Sequence, residues 1–139
     1  MKKFALVLFA FLLINCSEVA TKEKKWTVFT TKDSIPEKLN HKLRERYGNF
    51  EIADFNQRFN STDFLLDSLP TRQIKMLARK ENHWRLTYVQ GGFAKYYVLV
   101  ECYINGDSVS EFRTAETMIY ISNNDSIDKL IKNKELKFK

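Results

Sequence analysis

The chain has 139 residues, a formal charge of +6 and 44% hydrophobic residues. That length and apolar content suit one domain with its own core and exclude a disordered or collagen-like chain. Two cysteines exclude a disulfide-dense scaffold.

In chain order, the first segment is an address, not part of a fold. Lys2 and Lys3 precede an unbroken apolar run over residues 4–14. A membrane-spanning helix needs about 20 apolar residues, so this run is too short to cross and fits the apolar region of a signal peptide. It ends in Leu13-Ile14-Asn15-Cys16. This stretch resembles the lipobox of bacterial lipoproteins, with Leu13 at the aliphatic position and Cys16 as acceptor. The resemblance implies cleavage after residue 15 and palmitate-type acylation of Cys16, which would hold the protein on a lipid bilayer of the cell envelope. Ser17 after the cysteine favours the outer membrane in that family. Residues 1–15 are then the signal peptide, 16–25 a polar tether and 26–139 a single domain. Loss of Lys2 and Lys3 lowers the charge to +4. An exported chain so weakly basic is not expected to bind nucleic acid.

Residues 26–31, WTVFTT, are β-branched and aromatic and predict a strand. A helix is predicted over 35–47. Ser34 and Glu37 have capping-box spacing, Pro36 falls in the first turn, and Leu39, Leu43 and Tyr47 share one face before Gly48. Residues 50–55, FEIADF, read as a short strand, and 56–71 shows no clean period. From 72 onward Ile74, Met76 and Ala78 alternate with polar residues, as do Trp84, Leu86 and Tyr88. Glu81-Asn82, Gly91-Gly92 and Asn105-Gly106 are turn signals. Residues 94–104, AKYYVLVECYI, predict a central strand buried on both faces. Strands over 108–114 and 117–121 follow, then a short helix capped at Asp125 or Ser126 and a basic tail that frays. The expected fold class is α+β: an N-terminal helix packed on one face of a four- to five-stranded antiparallel meander, with a short C-terminal helix. By element order alone it resembles the cystatin-like and NTF2-like group, which implies no function.

Four of the seven aspartates open an Asp-Ser-aliphatic triplet, at 33–35, 67–69, 107–109 and 125–127. Asp and Ser favour caps and turns, because their short side chains bond nearby backbone N–H groups. That does not explain the aliphatic residue each time. The triplet resembles the O-glycosylation acceptor of exported Bacteroidota proteins, which implies glycan on Ser34, Ser68, Ser108 or Ser126.

His41 and His83 are far apart in the chain, and Cys102 sits alone in an apolar run, so no metal-ligand spacing occurs. GxSxG, P-loop and HExxH motifs are missing from the sequence. His41 reads as a solvated helix residue, His83 as a solvated turn residue and Cys102 as a small buried hydrophobe. The pattern calls for no cofactor and for binding rather than catalysis. A protein partner in the envelope is expected, of accessory or immunity type, with glycan or small-ligand binding as the alternative. The candidate contact residues are Lys38, Lys42 and Arg46 on the helix and the strand aromatics Trp84, Tyr88 and Tyr96.

Overall fold

The computed structural model describes residues 24–64, 66 and 68–139. Five antiparallel strands form one sheet in chain order: β1 (Thr27–Phe29), β2 (Arg72–Lys80), β3 (His83–Gln90), β4 (Tyr96–Asn105) and β5 (Ser108–Thr117). Two helices, α1 (Glu37–Tyr47) and α2 (Asn124–Lys132), complete an α+β fold. The first helix is not N-terminal to the sheet as expected; β1 precedes it and pairs with residues 77–79 of β2.

The start of α1 also departs from the sequence reading. Ser34 ends a single 3-10 turn (Lys32–Ser34), and that turn is capped by Thr31. Ile35 is extended, with φ −68° and ψ 121°, because a residue before proline is pushed out of helical space. The helix therefore begins only after Pro36, with no side-chain cap, and the Ser34–Glu37 capping box does not form. Leu39 and Leu43 are buried on the sheet side, each contributing about 2 kcal/mol by removal from water.

Both sheet faces carry a core, where one was expected. Leu39 and Leu43 of α1 pack with Ile74, Leu77, Trp84, Leu86, Tyr88, Val98 and Val100. On the opposite face Met76, Ala78, Leu99 and Ala115 meet Ile121, Ile127, Leu130 and Leu136. A β-bulge between Ile74 and Met76 explains how β2 feeds both. The extra residue flips the alternation, so Ile74 and Leu77 share the α1 side while Met76 and Ala78 turn the other way. The predicted common face for Ile74, Met76 and Ala78 is thus split.

Three smaller expectations fail for physical reasons. Residues 50–55 form no strand; Ala53 makes only an isolated parallel bridge to Gln73. Residues 118–120 leave the sheet and stay exposed. The tail does not fray: Leu136 is buried, and Lys139 exchanges backbone hydrogen bonds with Thr114, covering part of the β5 edge. Alternation of Leu136 and Phe138 puts both on the second core, which holds the tail down.

Two turns and one cap are shifted. The β3–β4 connection uses five residues, not the glycine pair alone, and Gly106-Asp107, one residue later than expected, turns β4 into β5. Asn123 caps α2, its side chain accepting from the Ser126 backbone N–H at 2.8 Å, in place of Asp125 or Ser126.

Candidate functional site

Alternation along β4 sends Val98, Val100 and Cys102 toward α1. Leu99 and Glu101 therefore face the other way. Glu101 is 1% exposed in the middle of this strand. A carboxylate there is tolerated only if its charge is paired. The register supplies the partners, placing Arg85 of β3 and Arg113 of β5 directly opposite Glu101.

Arg85 Nε donates to Glu101 Oε1 at 2.7 Å. Arg113 donates through Nε and Nη2 to Oε2 at 2.9 and 2.6 Å. Arg85 also reaches α2, with Nη2 2.7 Å from Asp128 Oδ1 and Nη1 donating to Asn124 Oδ1 at 3.3 Å. Aromatic rings close the cluster from above: Trp26 lies 4.4 Å from the Arg85 guanidinium and Phe138 4.1 Å from that of Arg113. His83 is stacked on Tyr103 at 4.5 Å, and its Nε2, buried and without a hydrogen-bond partner, lies 3.5 Å from Glu101 Oε1. It is therefore a half-buried strand residue and not a solvated turn residue.

Two carboxylates face two guanidiniums, so the cluster is balanced. Burial alone would push the Glu101 pKa up, but the nearby His83 and the hydrogen bonds and charges of Arg85 and Arg113 outweigh it and hold the group at about 2. A carboxylate so acidic neither donates a proton near neutral pH nor acts as an effective base. Arg85 stands between Glu101 and Asp128, which keeps the two carboxylates and His83 from converging on one open point. The chemistry of the cluster is cohesion: it ties β3, β4, β5 and α2 together across the second core. Among the described residues no group of three His, Cys, Asp or Glu side chains is arranged to hold a metal ion. The Cys102 thiol is buried, and burial with the nearby Glu101 charge pushes it up to about 12. That leaves it protonated and unreactive.

The contact residues expected from sequence are dispersed. Lys38 bonds the Gly106 carbonyl and Asp107, and Lys42 pairs with Glu45 at 2.7 Å. Arg46 is exposed beside the Tyr47 ring. Helix residues Lys38, His41 and Lys42 flank a groove of about 590 Å³ with Ile104 and Val109 opposite. Trp84 is in the first core, stacked on Phe29 at 5.4 Å, and Tyr88 is 1% exposed. Neither is a surface ring; Tyr96 is half-buried. Of the triplet serines, Ser68 and Ser108 are exposed and Ser34 and Ser126 half-buried. Cys16 and Asp67 lie outside the described residues.

The surface feature that sequence reasoning missed is at one end of the sheet. Among the described residues seven large hydrophobic side chains are exposed: Val28, Phe64, Leu66, Phe93, Met118, Ile119 and Tyr120. Six of them belong to segments that meet at the same end. Arg72 pairs with Gln90, Gln90 with Tyr96, and Tyr97 with Thr117, so the start of β2, the β3–β4 loop and the exit of β5 lie at the same end of the sheet. The loop before β2 joins them through Asn60. Its backbone N–H donates to the Pro70 carbonyl, and its side chain binds the backbone of Leu66 and Leu69. Gly91 fits against it because a Cβ there would lie 1.9 Å from the Asn60 carbonyl oxygen. Phe64 at 90% exposure, Phe93 at 96% and Met118 at 71% are far from ordinary core fringe. The sequence signal was available: apolar residues at loop positions, here Phe93 beside two glycines.

No protein-family profile, curated protein or solved structure matches the chain.

Proposed function

We propose that this is a lipid-anchored binding protein of the bacterial cell envelope, held through acylated Cys16, that engages a protein partner and catalyses no reaction. The observation that carries this reading is a contrast. The buried charges of Glu101 and Arg85 are satisfied by each other and by Arg113 and Asp128, whereas large apolar side chains are left in solvent. Closed ion clusters serve cohesion; exposed apolar side chains gathered at one end of a sheet serve contact.

The apolar run ending on Cys16 supports the anchor. Two or more acyl chains, at about 0.8 kcal/mol per buried CH₂, hold a protein stably where one chain does not. The glycan alternative draws less support. It needs solvent-facing Trp and Tyr on a sheet face, and Trp84 and Tyr88 are interior. Of the exposed rings among the described residues, Phe64 and Phe93 offer a sugar no hydrogen bond, and Tyr120 alone carries a hydroxyl.

The test is fractionation of the full chain in a bacterial host that processes lipoproteins. Wild-type protein partitions into the membrane fraction and labels with radioactive palmitate. Cys16→Ser is released or stays an unprocessed precursor. A Cys16→Ser protein that is cleaved yet still membrane-bound overturns the anchor.

A further inference from the structure

We infer that the apolar rim formed by Phe64, Leu66, Phe93, Met118, Ile119 and Tyr120 is the docking surface, and that its occupant is an apolar patch of a folded envelope protein approaching from the side away from the membrane. This inference rests on the anchored reading above.

Lys24 pairs with Glu81 in the β2–β3 turn, and β1 enters the sheet opposite Arg79. Both are at the end of the sheet opposite the rim. The length of β2 separates the two ends, about 26 Å for the eight rises of a nine-residue strand at ~3.3 Å each. Cys16 and Lys24 are joined by eight peptide units, which span at most ~29 Å fully extended. An acylated Cys16 therefore brings the tether end of the sheet to the bilayer and leaves the rim at the far end. Bringing the rim to the same bilayer would demand a nearly fully stretched tether, at about 1–2 kcal/mol of backbone entropy per residue.

The same geometry disfavours a second copy. Two copies anchored in one leaflet present their rims in parallel, not to one another. Electrostatics adds no pull toward lipid, since among the described residues the exposed charges flanking the rim include Arg58 and Lys95 but also Asp63 and Glu116. What remains is an apolar surface rich in aromatic residues and Met, the composition that carries binding energy at protein interfaces.

The experiment is in-cell photocrosslinking of the full-length chain, with a photoreactive residue placed in turn at Phe93, Met118 and, as control, Val28. Val28 is also exposed but lies in β1. The expected result is one discrete polypeptide adduct shared by positions 93 and 118 and missing at 28. Adding Phe64→Ser should cut its yield about tenfold, the loss expected for one contact worth ~1.4 kcal/mol. Thermal melting of Phe64→Ser should match wild type, since the side chain is in solvent. Adducts to lipid alone, adducts of twice the chain mass, or no rim adduct overturn the docking surface. Membrane retention of the same sample separates the two readings. Retained protein without a rim adduct sinks only the rim, whereas unretained wild-type protein sinks the anchor and with it the orientation argument.

Discussion

Arg85 Nε donates to Glu101 Oε1 at 2.7 Å from the directly paired position on the next strand, and both residues are at most 5% exposed. One sheet position therefore joins three strands and a helix, because Arg113 completes the carboxylate and Asp128 completes Arg85. Removing one member of a buried ion pair leaves an uncompensated charge. Glu101→Gln should lower unfolding free energy by about 3–5 kcal/mol. Arg113→Met should cost less, since its side chain is 44% exposed and solvent already screens it. Urea titration of the two variants checks the order.

The same carboxylate predicts an acid limb of stability. Its folded pKa, about 2, is below the ordinary 4.5. The contribution is full above pH 4.5 and is lost as pH falls toward about 2. The lowered pKa corresponds to about 3 kcal/mol. Melting temperature should therefore drop steeply between those values, and Glu101→Gln should flatten that segment. A wild-type curve unchanged across this range would contradict the network.

Cys102 should resist alkylation in the folded protein at pH 8, because a thiol raised to about 12 is almost wholly protonated and its side chain is buried. Modification should appear only with denaturant. Mass spectrometry after iodoacetamide treatment measures it.

Local substitutions distinguish the observed caps and turns from those expected. Asn123→Ala should cost about 1 kcal/mol, since it removes the cap on α2. Ser34→Ala should leave α1 nearly unchanged, because Ser34 caps nothing there. Gly91→Ala should cost about 1–3 kcal/mol through overpacking against the Asn60 backbone. Denaturant midpoints separate all three.

If the Asp-Ser-aliphatic triplets carry glycan in a native host, the exposed hydroxyls of Ser68 and Ser108 should be occupied ahead of the half-buried Ser34 and Ser126. Intact mass of native protein and of the Ser68→Ala and Ser108→Ala variants tests this. A native mass equal to the acylated polypeptide would leave the triplets as turn residues only.

The sequence by itself determined β2 to β5, though not the further strand expected over 117–121, the existence and apolar stripe of α1, the short second helix and the α+β class. Each rests on local information: period-2 alternation in Trp84, Leu86 and Tyr88, the 3.6-residue spacing of Leu39, Leu43 and Tyr47, and turn residues between runs. It did not determine what lies over the second sheet face. Arg85 and Thr87 read as the solvent side of an amphipathic strand, because alternation reports that two faces differ, not that either is wet. Only the tertiary structure decided that α2 and the tail cover that face. With the cover in place, Glu101 and Arg85 had to find each other. The rim was decided in the same way. Phe64, Phe93 and Met118 are apolar residues in loops, and nothing in their spacing shows that the topology of an antiparallel meander brings those loops to one end. A bulge at Lys75 and a pre-proline residue at Ile35 moved side chains and a helix start by local sterics whose consequences depend on the neighbours they meet.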